Sequence, residues 1–404
     1  MFIHNDSSKK IRAHQIHKFS RKLLQHSLFN WFKVYLDWRI KLSKGKNAVM
    51  PKAHPVSINL DLTTACNYYC DHCIDLGMIN NGRRLKFGNI KSLVSHWVEE
   101  GLRSVIIIGG GEPILHSDFK KIIAFLKSKE VQIGIATNGS RVAMLLRVAN
   151  ILDERDWIRL SLDAGSNDTF QRIHSPKMSL NLEEILKDIK KMRNEYAQYQ
   201  LGFSFLVLSG DQVANNRNLV DNIKEIPLAA KKAKEAGFSY FSVKPFISPY
   251  PSRFTEIHKK YITQIRKEVE LAKKLEDDTF RVVESFNLLA LFNNLNEKLK
   301  KQPRICHAQF FRWVVTPDGI FNCPTWRGFA KAYLLDTEQN FSKKYCRQMQ
   351  TKLCERVENF DAAKECAQVS CIYNDFNWFV EKLIRNPDKL NKLQPLGDYG
   401  DYFL

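Results

Sequence analysis

Six short runs of apolar and β-branched residues, separated by helix-length segments, constrain this chain more than any other feature. The runs fall at 56–62, 104–108, 132–136, 157–162, 202–207 and 240–243. Between them, the segments 90–100, 118–127, 182–194, 216–236 and 256–275 carry apolar residues at three- and four-residue spacing, the period of amphipathic helices. Continuous apolar strands suit a parallel sheet covered on both faces, and strands alternating with helices are βαβ units. The expected fold is α/β, a partial (β/α)6 TIM-like barrel. A helical stretch at 286–300 follows, and then a hairpin at 311–322 turning on Pro317, Asp318 and Gly319, the start of a small second domain. The expected organisation is a basic amphipathic helical extension at 1–52, the barrel at 53–280, a small C-terminal domain at 281–385 and a tail at 386–404.

Of the 404 residues, 44% are hydrophobic and 26% charged, which excludes a disordered chain. Apolar runs such as 105–108 fall far short of the ~20 residues a membrane span requires. The first residues, MFIHNDSSKK, lack the apolar core and small-residue cleavage site of a secretory signal, so a cytoplasmic protein is expected. Nine cysteines, an odd number in two clusters more than 200 residues apart, argue against a disulfide framework and for metal ligation.

The first strand runs into Cys66-x3-Cys70-x2-Cys73. Three thiolates on one post-strand loop can hold zinc if a fourth ligand is found, which His72 offers only awkwardly beside Cys73. They can equally hold three irons of a [4Fe–4S] cluster and leave the fourth open. The spacing by itself leaves both readings standing.

Cys66, Cys70 and Cys73 after the first strand resemble the signature of the radical S-adenosylmethionine (radical SAM) enzymes. Gly109-Gly110-Gly111-Glu112-Pro113 after the second strand is similar to that family's GGE motif, and Thr137-Asn138-Gly139 and Ser161-Leu162-Asp163 follow in register after the third and in the fourth. Such ends are where a parallel barrel builds its active site. The resemblance, over about residues 55–250, implies a catalytic [4Fe–4S] cluster on the three cysteines, with S-adenosylmethionine (SAM) chelated by the open iron. It implies contacts to SAM from Gly110, Gly111, Glu112, Asn138 and His72, the last near the adenine, and from Ser161 and Arg172 as a ribose- and carboxylate-binding pair. Asp163 is equally readable as a helix cap. The implied reaction is one-electron cleavage of the sulfonium S–C5′ bond to methionine and a 5′-deoxyadenosyl radical that abstracts hydrogen from a substrate. A flavodoxin or ferredoxin is the implied reductant.

Cys306, Gly319, Cys323 and then Cys366-x4-Cys371 resemble the auxiliary-cluster domains of the same superfamily, SPASM and the shorter twitch. Six cysteines without a tight Cys-x2-Cys pair depart from the seven of SPASM, so a twitch-like domain holding a second [4Fe–4S] cluster on those four is implied, with Cys346 and Cys354 spare. Unligated core cysteines or zinc are the bland alternatives.

Charge gathers at the N-terminus. The chain carries 62 Lys and Arg against 43 Asp and Glu, and residues 1–50 hold 11 basic and two acidic residues. Over 8–45, Phe19, Leu24, Leu28, Phe29, Phe32, Tyr35 and Leu36 share one helical face. Three fates are open to it: packing on the barrel with its charges solvated, peripheral docking on the inner face of a membrane through Phe29, Trp31, Phe32 and Trp38, or RNA binding, which no stacking module favours. Full use of the four C-terminal cysteines leaves no iron open for substrate, which favours an electron relay. The leading expectation is therefore oxidation of a peptide side chain or small polar metabolite. A lipid-linked or RNA substrate and a zinc-stabilised binding protein are the alternatives. No side chain stands out as catalytic acid or base, and Lys244 is a pocket-lining candidate.

Overall fold

The computed structural model describes residues 19–246, 257–337 and 342–404. The expected helical positions 8–18 and 256 lie outside them.

Strands β1 (Ser57–Leu60), β2 (Ser104–Ile107), β3 (Gln132–Thr137), β4 (Trp157–Ser161) and β5 (Gln200–Val207) pair in parallel in chain order. The two-residue strands β6 (Val213–Ala214) and β7 (Arg217–Asn218) form a separate ribbon, and β8 (Tyr240–Pro245) pairs in parallel with β5. β1, β2 and β3 are buried along their whole length, as strands covered by helices on one face and a barrel interior on the other must be. This is the expected parallel partial barrel.

The sheet runs on past residue 280. β9 (Arg281–Glu284) adds a seventh parallel strand beside β8, and β10 (Arg312–Thr316) lies parallel to β1 at the opposite edge, followed by antiparallel β11 (Gly319–Phe321) and β12 (Tyr333–Leu335). The expected hairpin thus forms, and its first strand extends the barrel's own sheet. The segment 216–236 is helical only over Ile226–Glu235, because it begins with β7 and a single 3-10 turn, Ile223–Glu225, before Pro227 opens the helix.

The N-terminal segment splits into helices Phe19–Leu23 and His26–Ser43. The second packs against helix Asn374–Arg385 and Phe310–Phe311: Tyr35 stacks at 4.5 Å on Phe310, and its hydroxyl lies 2.6 Å from His307 Nδ1. Phe29, Phe32 and Trp38 are buried there, Phe32 completely, and Trp31 stacks on His54 at 4.5 Å. The aromatics expected at a membrane surface are therefore core residues, which corrects that expectation; Lys33 and Asp37 face solvent. Among the described residues no helix is long and apolar enough to cross a membrane.

The tail plugs the N-terminal ends of the strands. Ser104 Oγ donates to the Tyr402 carbonyl at 2.7 Å, Phe403 packs edge-on against Trp157, and the buried Lys22 amine donates to the Phe403 carbonyl at 2.5 Å.

Candidate active site

At the opposite ends of the strands, the loops after β1, β2, β3 and β4 converge. Backbone hydrogen bonds fix the cysteine loop: Glu112 N–H donates to the Ala65 carbonyl at 2.8 Å, and Asn80 Oδ1 accepts from Cys66 N–H at 2.8 Å. Gly109 and Gly110 have φ of +78° and +69°, the left-handed region that favours glycine. A Cβ on Gly111 would lie 2.7 Å from the Thr63 carbonyl oxygen and nearer still to that of Ala65. The glycine run is thus required by its packing under the cysteine loop itself, a reason independent of any ligand.

Glu112 is fully buried and spans two strands. It accepts from Thr137 Oγ1 and Asn138 N–H, both at 2.6 Å, and from Ile114 N–H at 3.2 Å. Burial pushes its carboxyl up to about 7 although these three donors pull it down. Asn138 also donates through Nδ2 to Asn67 Oδ1 at 2.9 Å, tying the third strand's end to the cysteine loop.

Burial raises all three thiols. Cys73 rises to about 12 with Asp75 adding to the effect, and Cys70 is raised further by Cys73 and Asp163. Cys70 Sγ lies 3.1 Å from His174 Nδ1, whose Nε2 faces the Leu162 carbonyl at 3.0 Å. A carbonyl only accepts, so Nε2 carries the proton and Nδ1 accepts from the thiol. Sequence reasoning missed His174, which no spacing rule ties to a cysteine 104 residues earlier.

Asp163 does not cap the following helix; Ser166 does, accepting from Thr169 N–H at 3.3 Å. Asp163, at φ +51°, accepts from Leu206 N–H at 2.7 Å and faces His72 and His174 at 3.7 and 3.6 Å. Against the pull of burial, these neighbours hold its carboxyl below the ordinary range. Ser161 ends β4, whereas Arg172 lies on the outer side of helix Asn167–His174, 61% exposed and 3.5 Å from Asp168.

Arg327, also unforeseen, reaches in from the segment after Cys323. It binds Asp61 at 2.9 Å and the Asp75 carboxylate, which in turn accepts from Gly110 N–H at 3.3 Å. Burial raises Asp61 to about 7 despite this guanidinium.

A second cavity is lined by Cys306, Cys323, Cys366 and Cys371. Each sulfur is met by an N–H: Asn377 Nδ2 lies 3.6 Å from Cys306 and Trp326 Nε1 3.3 Å from Cys366, while backbone amides of Thr325 and Trp326 serve Cys323 and that of Tyr373 serves Cys371. Cys346 and Cys354 are elsewhere on helix Lys343–Asn359, beside His96 and Glu358.

The donor sets fit clusters better than single ions. Among the described residues the three potential ligands whose donor atoms lie within 4.8 Å of one another are Cys70, His72 and His174; neither Cys66, Cys70 and Cys73 nor the C-terminal four close to that distance. Thiolates on separate irons stand farther apart than ligands on one ion, and N–H donors to sulfur are what tune iron–sulfur centres.

Residues 60–247 match the family model of the Radical SAM superfamily. The S-adenosylmethionine-dependent nucleotide dehydratase of Selenomonas ruminantium is 34% identical over 83 residues, 20% of this chain and 30% of that protein. The mycofactocin maturase MftC of Mycolicibacterium smegmatis is 31% identical over 115 residues, 28% of each. The chain thus spans less than a third of the length of these two relatives. SuiB of Streptococcus suis shares the fold, with a TM-score of 0.56 at 13% identity over 97% of this chain and 94% of that one, and 0.54 at 14% identity over 83% and 82% when bound to its precursor peptide SuiA.

Proposed function

We propose that this chain, whose residues 60–247 are a radical SAM domain, is an enzyme that uses SAM and two [4Fe–4S] clusters to oxidise a peptide side chain or a small polar metabolite. The observation that carries this reading is the joining of the Cys66–Cys73 loop to Gly111 and Glu112 by backbone and side-chain contacts, with sulfurs too far apart for one ion. In this reading Cys66, Cys70 and Cys73 hold the catalytic cluster. Glu112, oriented by Thr137 and Asn138, offers its charge to the methionine amino group; His72 lies toward the adenine; Gly110, Gly111, Asn138 and Ser161 complete the cofactor's surroundings, whereas Arg172, exposed and paired with Asp168, takes no part in them.

When bound, the cluster and SAM supply the electron and the 5′-deoxyadenosyl radical for hydrogen abstraction. The chain positions these groups and keeps water out. The chain after β9 supplies the auxiliary unit, in which Cys306, Cys323, Cys366 and Cys371 occupy all four irons and leave electron relay as its role. That SuiB binds a precursor peptide supports the peptide form of the reading. Burial of Phe32 and Trp38 gives a lipid-linked or RNA substrate docked through the first helices no support. Among the described residues the competing arrangement is a single zinc-type ion at Cys70, His72 and His174, and it leaves Cys66 and Cys73 without work.

The test is production of 5′-deoxyadenosine from SAM by reconstituted protein under strong reductant. Turnover in the wild type and its loss in Cys66→Ala are expected. No product from iron-loaded wild type would overturn the reading.

A further inference from the structure

The barrel interior holds a cavity of about 310 Å³, with Trp157, Phe403 and, as the sequence suggests, Lys244 in its lining. Three cationic side chains line it, Arg159 from β4, Lys244 from β8 and Arg312 from β10, against a single carboxylate, Glu284. Glu284 is already engaged by Lys273 at 2.8 Å. Arg312 is likewise committed, to Asn59 Oδ1 at 2.7 Å and to the Tyr373 hydroxyl. Arg159 has only the face of Trp157, with its guanidinium carbon 5.1 Å from the ring centroid, and no hydrogen bond or ion pair among the described residues. Lys244 has none either. Its one anionic influence is Asp163, whose oxygens are taken by Leu206, His72 and His174.

Two enclosed cations without counter-charges are costly to keep. Burial, and then the neighbouring Arg159, hold the Lys244 amine well below its ordinary value, so the pocket resists its own charge until an anion enters. A guanidinium fork beside an ammonium matches a planar or tetrahedral oxyanion.

We infer that the cavity between Arg159 and Lys244 receives an anionic group of the substrate, a carboxylate or a phosphate. This rests on the enzymatic reading above and narrows its substrate to an acidic molecule or acidic side chain.

The experiment is calorimetric titration of the reconstituted full chain with inorganic phosphate and, separately, with glutarate, in wild type, Arg159→Met, Lys244→Met and Arg159→Lys. At least one anion should saturate the wild type, and the one that does names the source. Its Kd should rise at least tenfold in both methionine variants, with Arg159→Lys in between. Arg159→Met should melt higher than wild type, since it loses an unpaired enclosed charge, and Lys244→Met should melt no lower, since an amine held toward its neutral form gives way to an apolar side chain; cooperative melts of both show that they fold. Saturation by neither anion, or undiminished binding in the methionine variants, overturns the inference. Iron is counted on the same samples: iron without anion binding sinks this inference alone, and anion binding without iron sinks the radical reading alone.

Discussion

Arg327 Nη1 lies 2.9 Å from Asp61 Oδ2, both side chains buried, and so pins the segment after Cys323 to the end of the first barrel strand. The same guanidinium holds Asp75, two residues beyond Cys73, which makes it a direct link between the segment after Cys323 and the Cys66–Cys73 loop.

Replacing Arg327 by Met leaves two buried carboxylates facing each other without a cation. The loss should be about 3–5 kcal/mol in denaturant unfolding. Asp61→Asn added to Arg327→Met should recover part of it, because one of the stranded charges is gone. Equal stability of Arg327→Met and wild type would contradict the pairing.

His54 contributes to an acid limb of stability that it shares with the buried His174, whose pKa burial likewise lowers from 6.5 to about 4. The His54 ring is buried against Trp31, and burial lowers its pKa from 6.5 to about 4. Between those values the unfolded chain binds a proton there that the folded one refuses, so stability falls as pH drops from 6.5 toward 4, by about 3 kcal/mol at most from His54 alone. His54→Phe should make that fall shallower, leaving the share of His174, in melts taken from pH 7 to 4.5.

The chain ends are held by Lys22, whose amine lies 3.0 Å from Asp401 and against the Phe403 carbonyl. Burial lowers its pKa while Asp401 raises it. Asp401→Asn should cost about 2 kcal/mol, and Lys22→Met in the same background should return most of it, because a buried cation no longer needs a partner. Thermal unfolding of the wild type and the two variants measures this.

Much of this arrangement is legible from residue patterns alone, and its limits have physical reasons. The six strand–helix units are readable because short runs rich in apolar and β-branched residues recur between amphipathic helices, even where one face carries Asn59, Arg159 or Lys244. β9 reads Arg-Val-Val-Glu, with charges at both ends of only four residues, so its pattern resembles a loop. The four C-terminal cysteines stand out by residue type, and the structure lines one cavity with them. Arg327 has no such mark: its partners lie 266 and 252 residues away, and only the folded sheet brings them together. The first helices left three fates open because aromatic and basic residues on one helix suit a membrane surface and a packed core equally well, and packing on the barrel is the one found. The choice is made by Phe310, Phe311 and Phe376, which cover the aromatic face.

The two spare thiols separate from the four in the cavity. Cys346→Ser and Cys354→Ser should each keep the full iron content of the wild type, whereas Cys306→Ala or Cys371→Ala should lose about four irons per chain. Iron analysis after anaerobic reconstitution distinguishes them, and loss of iron in Cys346→Ser would reassign a ligand.

The central claim rests on what the first three cysteines hold. Iron and acid-labile sulfide per chain should be counted in anaerobically reconstituted wild type and in the Cys66→Ala/Cys70→Ala/Cys73→Ala triple variant. About eight irons falling to about four is the predicted result, one cluster lost and the auxiliary one kept. Bound zinc and no iron in either protein would contradict the account.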